Sequence, residues 1–176
     1  MKVLAFAASN SKHSINKQLV QYAANQMQDA RVEIIDINDF EMPLYSADRE
    51  DESGIPPLAH AFYHMIGEAD ALLISFAEHN GSYTAAFKNL FDWTSRINQK
   101  VYQGRDMVLL ATSPGPGGAS SVLASAKTSA PYFDGNVKAE LSVPSFYEVF
   151  DAEKGGLQDE DLKRQLSSAL ATLSNT

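Results

Sequence analysis

Cysteine is absent from the 176 residues. Disulfides, thiolate nucleophiles, thiolate metal sites and dithiol redox chemistry are therefore excluded, and any redox chemistry must come from a borrowed group. A reducing cytosol suits such a chain. Long apolar runs are missing too. No stretch approaches the roughly 18 residues of a membrane span, and the apolar run from Val3 to Ala8 is too short for a secretion signal and passes directly into Asn10, Ser11, Lys12 and His13. The expectation is a cytoplasmic protein without a membrane partner. Basic residues are scarce, 14 against 22 acidic for a net charge of −8, which argues against a general nucleic-acid binder. Several catalytic patterns also fail. His60 and His64 stand four apart, but Ala61 occupies the place where H-E-x-x-H needs its glutamate. The stretch from Gly118 to Val122 lacks the last glycine of a nucleophile elbow, and no P-loop pattern occurs. Glu50, Asp51 and Glu52 read as a solvated run, and no triad or carboxylate pair emerges.

What is present is an alternation. Five short runs rich in Val, Ile, Leu and Ala fall at residues 2–8, 31–37, 70–76, 106–112 and 137–143. Three are nearly continuous apolar runs, as strands covered on both faces should be. Between and after them lie stripes at the helical period: Ile15, Leu19, Tyr22, Ala23 and Met27; Leu58, Phe62, Met65, Ile66 and Ala69; Phe87, Leu90, Phe91, Thr94 and Ile97; Leu162, Leu166, Ala169, Leu170 and Leu173. Residues 120–130, stopped by Pro131, form a weaker fifth. Strand and helix in strict alternation give an α/β fold, a doubly wound five-stranded parallel sheet with helices on both faces and strand order 2-1-3-4-5. Residues 43–57, with three prolines, Gly54 and an acidic run, read as an irregular surface loop. No repeat or boundary interrupts the chain, so residues 1–176 are expected to form one domain.

In a doubly wound sheet, ligands bind at the carboxyl ends of the strands. Three loops there are unusual. After the first strand come Ser9, Ser11, Ser14 and Asn16 with Lys12 and His13 between them, hydroxyls and a helix start that suit a phosphate dianion. Ser14 equally suits an ordinary N-cap. After the third strand, Asn80-Gly81 forms a tight turn whose amides can approach a flat ring edge, with Ser82 placed to cap the next helix. Trp93, Phe87 and Phe91 beyond it read as core or subunit-interface residues. After the fourth strand, Thr112-Ser-Pro-Gly-Pro-Gly-Gly118 is a turn with little side-chain bulk, able to lie against a planar ligand.

Together these loops resemble the NADPH-dependent FMN reductase family of the flavodoxin-like fold. Its typical members carry G-S-x-R-x-x-S-x-N, then P-E-Y-N-G-S with K-N-x-x-D-W, then S-x-G-x-x-G-G. Here the stretches are Ala8 to Asn16, Ala77 to Ser82 with Lys88-Asn89 and Asp92-Trp93, and Ser113 to Gly118. The resemblance implies bound FMN, with NADPH or NADH as electron donor and a small-molecule electron acceptor. It places Ser9, Ser11, Ser14, Ile15 and Asn16 around the FMN phosphate, and Glu78, His79, Asn80 and Gly81 along the isoalloxazine edge. Ser113, Gly115, Gly117 and Gly118 fall against the flavin or its ribityl chain. Catalytic side chains are not required, because the flavin carries the chemistry. Three departures stand out: Ser11 replaces the family's Arg, His79 its Tyr and Ala77 its Pro. Weaker FMN retention or an altered acceptor is the expected direction.

Related proteins are commonly homodimers or homotetramers, with the aromatic helix after Gly81 as a candidate interface. Lys12, Lys17, Lys88 and Arg96 are each able to meet the 2′-phosphate of NADPH. Two further readings remain open at the level of sequence. One is a flavodoxin-type electron carrier, although the phosphate loop lacks its T-G-x-T-G pattern; the other is a cofactor-free interaction protein on the same fold.

Overall fold

The computed structural model describes residues 1–174. The chain forms β1 (Lys2–Ala8), α1 (Ile15–Asn25), β2 (Arg31–Asp36), a 3-10 turn at Ile37–Phe40, α2 (Ala47–Ser53), α3 (Pro57–Glu68) and β3 (Ala71–Phe76). It continues through α4 (Ala85–Ile97), β4 (Asp106–Thr112), α5 (Ser120–Ser129), a 3-10 turn at Ala130–Phe133 and β5 (Asn136–Val143). The single turn α6 (Phe146–Val149), a two-residue hairpin of β6 (Phe150–Asp151) and β7 (Gly156–Leu157), and α7 (Glu160–Ser174) complete it. Strands β1 to β5 make one parallel sheet in the order β2-β1-β3-β4-β5, the expected doubly wound topology.

Alternation along the strands explains the layering. On β1, Leu4 and Phe6 point to one face and meet Phe62 and Ile66 of α3, Phe87 and Leu90 of α4 and Val122 of α5. Val3 and Ala5 point to the other and meet Leu19 and Ala23 of α1 with Leu166 and Leu170 of α7. Each buried Leu or Phe contributes roughly 1.5–3 kcal/mol relative to exposure. That is why the central strands read as nearly unbroken apolar runs. Trp93 and Phe87 lie in this interior, 1% and 2% exposed. Among the described residues no helix is long and apolar enough to cross a membrane.

The 43–57 stretch differs from its expected irregularity. Ser46 accepts the Arg49 amide, and Asp48 and Glu50 sit in the first turn of a helix over Ala47–Ser53. Hydroxyl cap and acidic first turn satisfy the free amides and the dipole at that end, so helix forms without an apolar stripe. Glu50 is not simply solvated either: its Oε2 takes Arg96 Nε at 2.8 Å and the Tyr45 hydroxyl at 3.1 Å.

The same segment is strapped to α4. Asn89 accepts the Tyr45 amide and donates to the carbonyls of Met42 and Pro43. Trp93 Nε1 donates to Pro43 O at 2.7 Å, with its ring edge-on to Tyr45. Asn89 and Trp93 thus serve one purpose, holding residues 42–46 down. Asn89→Ala is expected to destabilise the protein by roughly 1–3 kcal/mol through the unpaired strap groups, and to speed tryptic cleavage after Arg49. Unchanged cleavage would show that the strap holds without it.

Candidate flavin site

Register brings the three loops together. Ala8 pairs with Phe76 and Phe76 with Ala111, so β1, β3 and β4 end level. At a strand spacing of ~4.8 Å the three exits fall within about 10 Å.

In the first loop, Ser14 is the N-cap of α1 and its Oγ accepts the Lys17 amide at 3.3 Å. Ser9 is buried, and its Oγ accepts the Ser11 amide. The amides of Ile15 and Asn16 lie in the first turn of α1, which leaves them without acceptors inside the helix and facing its open end. Ser11, Lys12 and His13 are exposed around that end. Asn16 behaves differently from its neighbours. Only 2% exposed, it turns its amide inward: Oδ1 accepts Ser75 Oγ at 2.8 Å and Thr112 N at 3.1 Å, while Nδ2 donates to Thr112 O at 3.2 Å. One side chain thereby fastens α1 to both β3 and β4, and its backbone amide is what it presents to the loop.

The second loop is a two-residue hairpin. Asn80 and Gly81 have φ of 53° and 74°, and His79 and Ser82 exchange backbone hydrogen bonds of 2.9 and 3.1 Å across the turn. This corrects the expected helix start: Ser82 is committed to the hairpin, and Thr84 caps α4 instead. Thr84 Oγ1 accepts the Phe87 amide and donates to Ala8 O at 3.0 Å, tying this loop to the end of β1. His79, Asn80 and Gly81 are exposed. Glu78 is half-buried, and its Oε2 accepts the Val122 amide of α5 at 2.8 Å.

The third loop rests on the segment after β5, which the sequence pattern did not single out. Phe146 N donates to Ser113 O and Ser145 N to Gly115 O. The Ser113 hydroxyl also donates to Gly115 O. Ser142 Oγ donates to Gly118 O at 2.7 Å. A Cβ on Gly118 would lie 2.2 Å from Ser142 Oγ, whereas one on Gly115 or Gly117 would meet nothing within 4 Å. The inner side of the loop is closed against β5, and its outer side is bare backbone.

Charge around the loops is mostly spent. Lys17 pairs with Asp36 at the end of β2, Lys88 with Asp92 and Arg96 with Glu50. Burial alone would raise the Asp36 carboxyl, but hydrogen bonds from Lys17 and Asn38 outweigh it and hold it below the usual carboxylate range. Every other lysine of the chain has an ion pair; Lys12, at the phosphate loop, has none among the described residues. Of Lys12, Lys17, Lys88 and Arg96, it is the one without an ion pair among the described residues. Burial pushes the phenols of Tyr83 and Tyr102 upward, so both stay protonated at neutral pH.

A cavity of about 230 Å³ adjoins the first loop, walled by Asn10, Phe40, Met42, Leu44 and Ala86. Taken together, free helix-end amides, hydroxyls and an unpaired lysine suit a phosphate. Turns that present backbone without side-chain bulk suit a planar ring. The residues present fit FMN.

The family profile described as NADPH-dependent FMN reductase matches residues 1–147. A 2-hydroxy-1,4-benzoquinone reductase of a Burkholderia species is 30% identical over 174 residues, covering 96% of this chain and 91% of its own. An NADPH:quinone oxidoreductase of Arabidopsis thaliana is 31% identical over 181 residues, with 98% and 90% covered. Among solved structures, the flavoenzyme NAD(P)H:(acceptor) oxidoreductase FerB of Paracoccus denitrificans superposes with a TM-score of 0.78 at 24% identity, over 98% of this chain and 95% of that one. The profile spans the sheet through β5 and all three loops, and the chain belongs to the NADPH-dependent FMN reductase family.

Proposed function

We infer that this protein is an FMN-dependent NAD(P)H oxidoreductase that reduces flavins, quinones or similar small acceptors. The observation that carries the reading is the convergence of three loops on one spot, each supplying a different part of an FMN site. Ser9, Ser11, Ser14, Lys12 and the amides of Ile15 and Asn16 hold the phosphate. Glu78, His79, Asn80 and Gly81 lie along the ring edge. Ser113, Gly115, Gly117 and Gly118 form the opposing wall. FMN, when bound, supplies hydride acceptance from NAD(P)H and onward electron delivery; the protein holds the ring, excludes water from one side and leaves the other open. The quinone reductases among its relatives support a quinone acceptor.

Purified protein is expected to take up FMN and to oxidise NAD(P)H with a quinone or free flavin present. FMN at 100 times its dissociation constant should stabilise the fold by about 2.7 kcal/mol. Protein that neither warms in melting temperature nor oxidises NAD(P)H would overturn the reading.

Lys12 supplies the charge that Ser11 withholds. Lys12→Gln is expected to weaken FMN roughly tenfold, as loss of one exposed charge-assisted contact should, and to leave riboflavin, which lacks the phosphate, unchanged. Equal weakening of both ligands would place Lys12 away from the phosphate.

The protein works as a cytoplasmic homodimer or homotetramer. Supporting an oligomer is an apolar groove of about 260 Å³ between α4 and residues 129–133, where the half-buried Tyr83, Phe91 and Phe133 reach the surface, with Lys88 and Asp92 at its margin.

A further inference from the structure

Helix α5 follows Gly117 and Gly118 directly, and its own sequence gives it no cap. The preceding residue is Ala119, in the left-handed region at φ 57° and ψ 35°, without a side-chain acceptor. The acceptor comes from elsewhere. Glu78, 44 residues earlier, accepts the amide of Val122, the third residue of the helix, at 2.8 Å. A carboxylate at a helix N-terminus satisfies an otherwise unpaired donor and opposes the dipole. Among the described residues this is the one polar contact that joins residues 77–82 to residues 113–122. The other carboxylate oxygen takes no donor there.

The contact has a mechanical consequence. The hairpin of Asn80 and Gly81 hangs from Thr84 and Ala8, while the turn of Gly117 and Gly118 hangs from Ser142 and the segment after β5. Each is fixed at the end of its own strand, and among the described residues Glu78 makes the one polar contact across the gap between them. We propose that Glu78 is a positioning residue for the flavin: by capping α5 it sets the separation between the two turns that bracket the ring. This rests on the FMN reading above.

The test compares Glu78→Ala, which removes the acceptor, with Glu78→Gln, which keeps a carbonyl oxygen for the Val122 amide, and with Asp159→Ala. Asp159 caps α7 in the same way, its Oδ1 accepting the Leu162 amide at 2.9 Å. FMN affinity, the visible flavin spectrum and amide exchange at Val122 are read for each, after FMN uptake by the unaltered protein has been established. Glu78→Ala is expected to weaken FMN about 10- to 100-fold, the equivalent of one charge-assisted hydrogen bond, to shift the flavin band and to speed exchange at Val122. Glu78→Gln should stay within about threefold of the unaltered protein in affinity, with its spectrum intact. Asp159→Ala should lower the melting temperature without moving either flavin readout. Normal FMN affinity and spectrum in Glu78→Ala, or an equal loss in Glu78→Gln or Asp159→Ala, overturns the proposal. Failure of the unaltered protein to bind FMN overturns the reading beneath it, and is seen before any variant is compared.

Discussion

Asn16→Ala is expected to destabilise the protein, without any ligand present, by roughly 3–5 kcal/mol. The substitution strands three buried groups at once, the Ser75 hydroxyl and the Thr112 amide and carbonyl, and each buried unpaired group costs about 1–3 kcal/mol. Ser75 and Thr112 are 0% and 2% exposed, so water does not readily replace the lost partner. Urea denaturation of the apoprotein measures the effect. A large drop in midpoint at unchanged slope is the expected result. A normal midpoint accompanied by weakened FMN binding would mean that the Asn16 side chain faces the phosphate rather than the sheet. The distinction matters because the asparagine of this motif lies beside hydroxyls that do face the loop, and proximity in sequence assigns all of them one role.

Gly118→Ala has the second large effect, and it reaches ligand binding as well as stability. The residue has φ +58°, where a Cβ is strained, and that Cβ would stand 2.2 Å from Ser142 Oγ and 3.1 Å from Pro144 N. Left-handed backbone costs a non-glycine residue about 1–2 kcal/mol, and overpacking typically adds about 1–3 kcal/mol. Relief requires the Ser142 hydroxyl to turn away, which breaks its bond to Gly118 O, or the Gly-rich turn to lift away from β5. The combined expectation is a loss of roughly 2–5 kcal/mol together with FMN affinity reduced at least as far as in Glu78→Ala. Gly117→Ala is the contrast, because nothing lies within 4 Å of its added methyl. It should leave the apoprotein's stability nearly unchanged and disturb only what binds against the outer side of the turn. Equal destabilisation by both alanines would contradict the division of this loop into a closed inner face and an open outer one.

The difference between these two glycines also shows what a sequence can and cannot carry. The strands were legible because burial on both faces demands nearly unbroken apolar runs, as in Val3 to Ala8 and, Ser75 apart, Ala71 to Phe76, and because helices at the 3.6 period alternate with them. The strand order followed from that alternation. Residues 47–53 were illegible as helix because their stability comes from the Ser46 cap and from Glu50 meeting Arg96 and Tyr45, not from a periodic apolar face. The cap of α4 falls on Thr84 rather than Ser82 for a local reason. A two-residue turn with both φ values positive forces the flanking residues to pair, which commits Ser82 to His79 and passes the cap to Thr84.

The site was legible in the same partial sense. Loop positions follow from topology, and local chemistry of Ser, Asn and Gly follows from composition. Which polar side chains face a ligand and which face the sheet depends on partners far along the chain. Asn16 meets Thr112 across 96 residues and Glu78 meets Val122 across 44. The segment 144–146, which supports the Gly-rich turn through Ser145 and Phe146, contains only Pro, Ser and Phe and no pattern that announces it.

The central claim is that the three loops form one FMN site serving NAD(P)H oxidation. Its most direct test loads the purified protein with FMN, removes free flavin, and adds NADPH without oxygen while the visible flavin band is recorded. The account predicts that the protein retains FMN and that the band bleaches on NADPH addition, then returns when a quinone is supplied. A protein that emerges colourless from the loading step, or a retained flavin band that NADPH leaves unchanged, would contradict it.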